Sequence, residues 1–309
     1  RKSYDENCRR NFGKERRKKM KAGYVAIVGR TNAGKSTLIN KFLGVKLNIV
    51  SAKQQTTRNN VLGVLTENGS QIVFIDTPGI HKSQNALDKF MNKSVRSASE
   101  GADVVVYLID GKKTVSDEEI DNIKKIKEKN ENLIVAVSKI DLVQKEKLAE
   151  NLVKLNEIQA SEIVPISSLK KQNLDVLKKA IVSLLPEGDF IFPEDEITDK
   201  STSFLCAEIV REKVLNFTNQ EIPHGVMCEV VSFKEKASII EISIDIICEK
   251  DSHKSIIIGK GGTSLKRIGA SARIDMEKLL DKKVMLNLYV KVEKDWRNKQ
   301  NFLIANGYN

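Results

Sequence analysis

Near the start of the chain, two glycines, a lysine and a serine have the spacing of a phosphate-binding loop. The motif is Gly29-x-x-x-x-Gly34-Lys35-Ser36, within the segment VGRTNAGKSTL. Glycines let successive backbone N–H groups face phosphate oxygens, and the helix expected next adds its positive end. Lys35 would reach the β- and γ-phosphates of a nucleotide, and the Ser36 hydroxyl would bind Mg²⁺. The loop therefore predicts a nucleoside triphosphate site, but it does not select the base.

A second motif, DTPGI at residues 76–80, could complete the phosphate and metal site. Asp76 could hold Mg²⁺ through water, and the Gly79 N–H could contact the γ-phosphate. Glycine also permits the peptide to rotate when that phosphate leaves. Because many Asp-Thr-Pro-Gly segments are only turns, this motif carries weight only together with the first.

The segment SKID at residues 138–141 supplies the choice of base. Asp141 could accept hydrogen bonds from both N1 and N2 of guanine, whereas adenine would leave the carboxylate unpaired. Sites of this kind discriminate by roughly 10⁴-fold. The stem of Lys139 would lie over the base plane, and the segment ISS at residues 166–168 would close over the guanine edge. Together, the motifs predict binding of GTP rather than ATP.

Each of these motifs stands at the end of an apolar stretch that is typical of a buried strand. Such stretches are GYVAIVG, SQIVFIDTPG, DVVVYLIDG, LIVAVSKID and SEIVPISS. Helical segments are predicted between them, including residues 117–129, 145–157 and 173–185. This alternation indicates an α/β fold with a doubly wound parallel sheet, which binds ligands at the carboxyl ends of its strands.

The composition changes at LPEGDFIFPEDEITDKS, where prolines, a glycine and acidic residues predict a linker. We therefore predict a nucleotide domain at residues 20–187, a linker at 188–202 and a smaller α+β domain at 203–309. The second domain is expected to start with an amphipathic helix, SFLCAEIVREKVLNFT, and to continue with two alternating strands. A strand, a glycine loop, a helix and a further helix are then predicted in HKSIIIGKGGTSLKRIGASARIDMEKLL. A last strand is predicted in VMLNLYVKVEK.

The glycine loop of the second domain has the G-x-x-G pattern with which KH domains clamp about four nucleotides of single-stranded RNA. Its glycines would admit the sugar-phosphate backbone, and nearby basic residues would attract it. The predicted RNA site comprises Ile257, Ile258 and Ile268 as an apolar floor for bases, with Gly259, Lys260, Gly261, Gly262, Lys266 and Arg267. A structural turn is the alternative, and a second nucleotide site is disfavoured because the loop lacks a Lys-Ser ending.

Composition bounds the class of protein further. No apolar run in the 309 residues approaches the ~20 residues of a membrane helix. The four cysteines form no CxxC pair and the three histidines are scattered, so we expect free cytosolic thiols and no zinc site. The net charge is +11, and residues 1–19 hold nine Lys/Arg against three Asp/Glu. We predict that they form a disordered basic extension and that Met20 is the native start.

The order of motifs along the chain, from the phosphate-binding loop through DTPGI and SKID to ISS, looks like that of the translation-factor-related GTPases. With Asn32 in the first motif and QQTTR at residues 54–58 in the first switch, where Thr57 would close on Mg²⁺, the chain resembles the Era family of bacterial GTPases, from Lys21 to Tyr308. The resemblance implies a GTPase domain followed by a type II KH domain, with Mg²⁺ as cofactor and GDP and phosphate as products. It also implies binding of the 3′ end of small-subunit ribosomal RNA during assembly of the small ribosomal subunit. A cytoplasmic location with loose attachment to the inner face of the membrane is implied as well, and a monomer is the default.

Three positions depart from the family pattern. Thr31 and Ala33 replace proline and valine at positions without ligand contact. Ser138 replaces an asparagine that ties the base loop, SKID, to the phosphate-binding loop (P-loop) and also reaches guanine. Because serine is shorter, we expect one bond to be lost and nucleotide affinity to be weaker.

The residue that would position the attacking water is also different. Ras-like enzymes use a glutamine directly after the glycine that corresponds to Gly79, but here that residue is Ile80, which cannot orient water. In related GTPases an asparagine at the position of Asn32 helps to hold K⁺ beside the phosphates, which gives a hypothesis for hydrolysis.

The predicted site combines these segments. The catalytic residues are Asn32, Lys35, Thr57 and Gly79, and the metal ligands are Ser36, Thr57 and Asp76, with Thr56 as second choice for Thr57. The nucleotide-binding residues are Gly29, Arg30, Thr31, Asn32, Ala33, Gly34, Lys35, Ser36, Thr37, Asp76, Thr77, Pro78, Gly79, Ile80, Ser138, Lys139, Ile140, Asp141, Ser167 and Ser168. Two other functions stay open: an RNA-binding protein with a vestigial GTPase, and a GTPase that acts mainly on a protein or membrane surface.

Overall fold

The computed structural model describes residues 20–51, 53, 56–81, 83–218 and 225–308. The predicted basic extension at residues 1–19 lies outside these ranges, as do Gln54 and Gln55 of the first switch, Cys8 and His224.

The first domain is an α/β unit built on a six-stranded sheet in the order β2-β3-β1-β4-β5-β6. Its strands are β1 (Lys21–Val28), β2 (Val61–Glu67), β3 (Ser70–Asp76), β4 (Val104–Asp110), β5 (Leu133–Ser138) and β6 (Glu162–Pro165). Its helices are α1 (Lys35–Leu43), α2 (Ala86–Gly101), α3 (Asp117–Lys127), α4 (Lys145–Asn156) and α5 (Leu174–Leu184). Helices α1 and α5 cover one face of the sheet and α2, α3 and α4 cover the other, with an apolar core on each side. The doubly wound prediction is thereby confirmed.

The edge strand β2 was not predicted, and it runs antiparallel to β3 while the other neighbours in the sheet are parallel. Asn68 and Gly69 join the two strands and both have positive φ, at 51° and 77°. An Asn-Gly pair between alternating apolar residues is a strong hairpin signal, because a type I′ turn needs two residues with positive φ. The sequence therefore contained the signal for β2.

The predicted linker lies along the first domain and adds hydrogen bonds at its sheet edge. The amide nitrogen of Val64 donates to the carbonyl oxygen of Ile197 at 2.8 Å. The Gln71 side chain accepts from the backbone of Ile191 and Phe192 and donates to the Phe192 carbonyl, at 2.7–2.9 Å. The linker is thus fixed to β2 and β3 up to the start of the second domain.

The second domain has a three-stranded sheet in the order β7-β8-β9, with β7 antiparallel and β9 parallel to β8. Its elements are α6 (Thr202–Phe217), β7 (Met227–Glu235), β8 (Ile239–Cys248), α7 (Asp251–Ile258), α8 (Thr263–Leu280), β9 (Lys283–Val292) and α9 (Gln300–Ala305). Helices α6, α7 and α8 pack on one face of this sheet and enclose the domain core.

The prediction of a strand before the glycine loop was wrong, because residues 251–258 form helix α7. Of its three consecutive isoleucines, Ile257 is fully buried while Ile256 is 50% exposed, as expected for a helix with one face on the core. Tertiary packing overrides the β-propensity of the Ile-Ile-Ile run here. The prediction of two helices after the loop was also wrong, since α8 is a single helix that continues through Gly269.

Helix α6 is buried on more than the one face that an amphipathic helix would bury. Arg211 and Glu212 are only 2% and 3% exposed, because α6 contacts both the second domain and the nucleotide domain. A further apolar cluster joins the two domains and contains Leu87, Met91, Met227, Ile247, Trp296, Leu303 and Tyr308. Trp296 is fully buried in this cluster.

The sequence predicted free thiols, no zinc site and no membrane helix, and the described residues bear on each of these points. Cys206, Cys228 and Cys248 are free thiols, and burial raises the pKa of Cys206 to about 11. The described residues contain no cluster of three His, Cys, Asp or Glu side chains that could hold a metal. None of the described helices combines the length and apolar character needed to cross a membrane.

Candidate functional site

The P-loop, residues 29–36, follows β1 and turns into α1 through unusual backbone angles. Gly29 has a φ of 146°, and a Cβ there would lie 2.3 Å from the carbonyl oxygen of Leu108. Asn32 and Gly34 also have positive φ, at 63° and 101°. The loop therefore needs glycine at its start because β4 approaches too closely for any side chain.

Lys35 is buried at the centre of this loop. It is 6% exposed, and its ammonium donates to the carbonyl oxygens of Gly29 and Arg30 at 3.1 Å each. Burial lowers its pKa to about 8, although the nearby Asp76 carboxylate opposes that shift. Because the ammonium has neutral acceptors in these two bonds, phosphate oxygens would be much stronger partners for it.

Three side-chain oxygens from separate segments meet beside Lys35. The Ser36 hydroxyl donates to Asp76 Oδ2 at 2.8 Å, and the Thr57 hydroxyl lies 3.2 Å from the same oxygen and 3.0 Å from Ser36 Oγ. Asp76 is fully buried, and its Oδ1 has no hydrogen-bond partner among the residues that the structure describes. Mg²⁺ prefers oxygen ligands and is held by a few protein groups together with phosphates and waters. The residues present therefore fit Mg²⁺.

Burial raises the pKa of Asp76 to about 6, against the opposing effects of Lys35 and the two hydroxyls. The carboxylate therefore loses its negative charge as the pH falls through about 6, which opposes metal binding. Thr57, the first choice for the switch threonine, faces this cluster, whereas the Thr56 hydroxyl donates to the carbonyl of Lys53 at 2.9 Å.

The DTPGI segment closes against the P-loop. The Ile80 amide donates to the Gly29 carbonyl at 3.1 Å, and a Cβ at Gly79 would lie 2.5–2.8 Å from atoms of Thr31. Thr77 anchors the segment by donating to the Ile27 carbonyl at 2.7 Å. The Ile80 side chain packs against the core beneath α2 and α3, where it has no polar group to offer a water.

The base loop is tied to the P-loop by two hydrogen bonds. The hydroxyl of Ser138, which is 2% exposed, donates to the Ala33 carbonyl at 2.7 Å. The Lys139 ammonium donates to the Asn32 carbonyl at 2.6 Å and pairs with Asp110 Oδ2 at 2.7 Å. Serine therefore keeps the tie to the P-loop that the family's asparagine makes, despite its shorter side chain.

Asp141 lies at the open end of this loop, partly exposed, with its side chain already oriented. Its Oδ1 accepts a hydrogen bond from the buried Ser167 hydroxyl at 2.5 Å, and the Ile140 amide donates to the Ile166 carbonyl at 3.2 Å. Ser168 is buried beside Ser167. The carboxylate is thus fixed by one oxygen while it retains lone pairs for a ligand.

The structure brings most of the predicted nucleotide residues to one edge of the first sheet, where β1, β3, β5 and β6 end. A single pocket is lined by Thr31, Asn32, Gly34, Lys35, Ser36, Thr37, Thr56, Thr57 and Gly79, with Ile49, Val50 and Ser51. The last three residues belong to the segment before Thr57 and carry no motif, so no sequence pattern marked them.

The glycine loop of the second domain joins α7 to α8. Gly259 has a φ of 73° and no room for a Cβ, which would lie 2.8 Å from the Ser264 Cβ. Gly261 and Gly262 also have positive φ but face open space. Lys260 and Lys266 are exposed, and the Arg267 guanidinium lies 4.3 Å above the Phe217 ring.

Two of the isoleucines proposed as a floor for bases are part of the domain core. Ile257 and Ile268 are fully buried, so in this conformation they support the loop from beneath, while Ile258 is partly exposed. The apolar surface next to the loop comes instead from Ile256, which is 50% exposed. The helical form of α7 causes this exchange, because it turns the middle isoleucine inward.

Polar residues of α6 that no motif marks also contact the nucleotide domain. The Val50 amide donates to Glu212 Oε1 at 3.0 Å, and Lys46 pairs with Glu212 Oε2 at 2.5 Å. The Ser51 hydroxyl donates to Asn216 Oδ1 at 2.9 Å. In the sequence these contacts are marked only by the charged group REK, at residues 211–213, between apolar residues of the predicted helix.

Family models match both domains. Residues 24–139 match the family described as 50S ribosome-binding GTPase, and residues 221–297 match the KH domain. GTPase Era of Thermoanaerobacter sp. (strain X514) is 46% identical over 93% of this chain and 96% of that protein. GTPase Era of Clostridium botulinum (strain Hall) is 44% identical over 93% of this chain and 98% of that protein.

Solved structures agree with these relatives. Aquifex aeolicus Era bound to GDP·AlF4⁻ superposes with a TM-score of 0.89 at 40% identity, covering 94% of this chain and 99% of that one. Era in complex with MgGDPNP and nucleotides 1506-1542 of 16S ribosomal RNA gives a TM-score of 0.90, with the same identity and coverage. The chain therefore belongs to the GTPase Era family and is a GTPase with a C-terminal KH domain.

Proposed function

We propose that the protein is a GTP-driven switch that binds the 3′ end of small-subunit ribosomal RNA and acts in assembly of the small ribosomal subunit. The observation that carries this proposal is the exposed, basic G-x-x-G loop on a domain that also contacts the GTP site. It is supported by the relative that holds MgGDPNP and a 16S ribosomal RNA fragment, at a TM-score of 0.90.

The residues of the GTP site divide the work. Lys35 and the P-loop backbone bind the phosphates, while Asp141 and Ser167 select and enclose guanine. Ser36, Thr57 and Asp76 would hold Mg²⁺, which, when bound, neutralises charge that develops on the phosphates. Thr57 and Gly79 come from different loops, so both can respond to whether a γ-phosphate is present.

Hydrolysis needs a substitute for the glutamine that Ile80 replaces. We propose that Asn32 helps to hold K⁺ beside the phosphates, where the cation takes the place of an arginine finger. GTP turnover is expected to fall when K⁺ is replaced by Na⁺ at constant ionic strength, measured as phosphate release. Equal turnover in the two salts would contradict the proposal, and an Asn32→Ala variant should be insensitive to the exchange.

The switch is tested by comparing RNA affinity in two nucleotide states. A ligand shifts a conformational equilibrium only through differential binding, so the protein should bind a 16S 3′-end oligonucleotide more tightly with a GTP analogue than with GDP. Fluorescence anisotropy at one fixed salt concentration measures the difference. Equal affinity in both states would contradict the switch while leaving the GTPase activity intact.

Replacement of both Gly261 and Gly262 by aspartate is expected to abolish RNA binding, by at least 100-fold. Each new carboxylate would stand where the RNA phosphates approach, and both sites have open space for a side chain. In the parent protein, affinity should fall steeply with salt because phosphate contacts release counterions.

The matched control for this pair is Gly44→Asp. Gly44 ends α1 with a φ of 70° and also faces open space, so the substitution introduces one such strained carboxylate, half the charge of the double variant, in the nucleotide domain. RNA affinity should be unchanged in this control. Retained RNA binding in the double variant would instead favour a structural role for the glycine loop.

Two further expectations remain predictions. These are a cytoplasmic location with loose attachment to the inner membrane face, and a monomeric state. Cell fractionation and light scattering would test them.

A further inference from the structure

The peptide segment that carries Thr57 is held on both sides by the KH domain. On its N-terminal side, the Arg211 guanidinium of α6 donates through Nη2 to the carbonyl oxygen of Thr56. On its C-terminal side, Arg58 Nη1 donates to the Val226 carbonyl at 2.6 Å, and its guanidinium lies 5.5 Å from the centre of the Trp296 ring. Thr57 is therefore the one residue between two anchors on the other domain.

Arg211 is itself rigid. It is 2% exposed, and Glu208, one helical turn earlier, accepts from its Nε at 2.7 Å and its Nη2 at 2.6 Å. A bidentate arginine–carboxylate pair fixes the plane of the guanidinium, so the remaining hydrogen bond to Thr56 has a defined direction. Because the peptide unit is planar, a fixed Thr56 carbonyl also fixes the amide nitrogen and Cα of Thr57, which lie in the same plane.

The segment ahead of these anchors is fixed to the same helix. Glu212, adjacent to Arg211, accepts from the Val50 amide and pairs with Lys46. Helix α6 therefore contacts the described residues between Lys46 and Thr56 at several points, and among these contacts the one at Thr56 is next to the proposed metal ligand Thr57. Val50 and Ser51, which make two of the other contacts, line the wall of the nucleotide pocket.

We infer that Arg211 is a positioning residue of the Mg²⁺ site, which it completes from the KH domain by holding Thr57 beside Ser36 and Asp76. This inference rests on the assignment of Thr57 as a metal ligand, within the proposed function. Because coupling between sites is reciprocal, closure of Thr57 on the metal also favours the α6 position seen here.

The test measures the Mg²⁺ concentration that gives half-maximal GTP hydrolysis, without RNA. In Arg211→Lys this concentration is expected to rise about tenfold, the loss typical of one charge-assisted hydrogen bond, while affinity for GDP without Mg²⁺ changes less than threefold. Normal GDP binding also shows that the variant is folded. Glu208→Gln, which frees the guanidinium without removing it, should give a smaller shift in the same direction and serves if Arg211→Lys does not fold.

Two comparisons distinguish positioning from general stability. Arg273→Lys makes the same exchange at an exposed site on α8 and should leave the Mg²⁺ dependence unchanged. In a Thr57→Ala background, Arg211→Lys should add less than a twofold effect, since its action passes through Thr57. Fully additive effects, or an unchanged Mg²⁺ requirement in Arg211→Lys, would overturn the inference. Loss of nucleotide-dependent RNA binding would overturn the proposed switch and leave this inference standing.

Discussion

Asp141→Asn is expected to lower the affinity for GDP and GTP by about 10⁴-fold, because the site then meets guanine N1 and N2 with a single acceptor. The amide NH₂ would face the N2 donors of guanine, which creates a clash of donors. Xanthine carries a carbonyl oxygen at that position, so the same variant is expected to bind XDP and XTP far better than the parent does. Ser167 can still donate to the amide oxygen, so the loop should keep its shape.

Competition binding with a fluorescent nucleotide, using GDP, XDP and ADP as competitors, measures this change. The control is Asp175→Asn, which removes the same charge from a carboxylate that is 90% exposed at the start of α5. It should leave all three affinities unaltered. Tight ADP binding by the parent protein, or guanine affinity within tenfold of the parent in Asp141→Asn, would contradict the assignment of Asp141.

Lys35→Met is expected to reduce GTP hydrolysis by about 10²–10³-fold, the cost of removing one preorganised donor from developing charge. The same change should not destabilise the nucleotide-free protein. The ammonium is buried and bonded to two backbone carbonyls, and burial is the main reason that its pKa is lowered to about 8. Methionine fills a similar volume without a buried charge.

Single-turnover phosphate release and thermal denaturation of the nucleotide-free protein separate these two effects. Lys41→Met is the matched control, because Lys41 lies on the same helix but is exposed in its last turn. Hydrolysis by the control should equal that of the parent. A Lys35→Met variant that unfolds at a much lower temperature would show that Lys35 stabilises the loop, contrary to the expectation.

Local motifs made the nucleotide site predictable from sequence. The P-loop, DTPGI and SKID each follow a strand directly, so the order of elements places them at one edge of the sheet. The glycines at positions 29 and 79 satisfy close approaches that a short motif can record, since the neighbouring backbone allows no side chain there. Ser138 shows where prediction from motifs ends. Only the structure revealed that its hydroxyl reaches the Ala33 carbonyl and so keeps the base loop bonded to the P-loop.

The sequence was a poorer guide to secondary structure where a short apolar run shows neither helical nor strand periodicity. The three isoleucines before the G-x-x-G loop suit a strand by propensity, yet they end helix α7, which turns only the middle one into the domain core. In β2 the sequence did carry the signal, an Asn-Gly turn with two positive φ values. These outcomes differ because the turn is local while the packing of α7 is not.

By itself, the sequence indicated a GTPase, supplied the residues predicted to contact phosphates and metal, and contained the glycine loop of a KH domain. Only the tertiary structure showed what contacts the peptide before Thr57: the guanidinium of Arg211, which lies 155 positions after the Thr56 carbonyl that accepts its hydrogen bond. Pattern in a sequence reports the spacing of residues along the chain and their preference for burial. A contact between two domains depends instead on how separately formed surfaces meet, and neither surface carries a motif that names its partner.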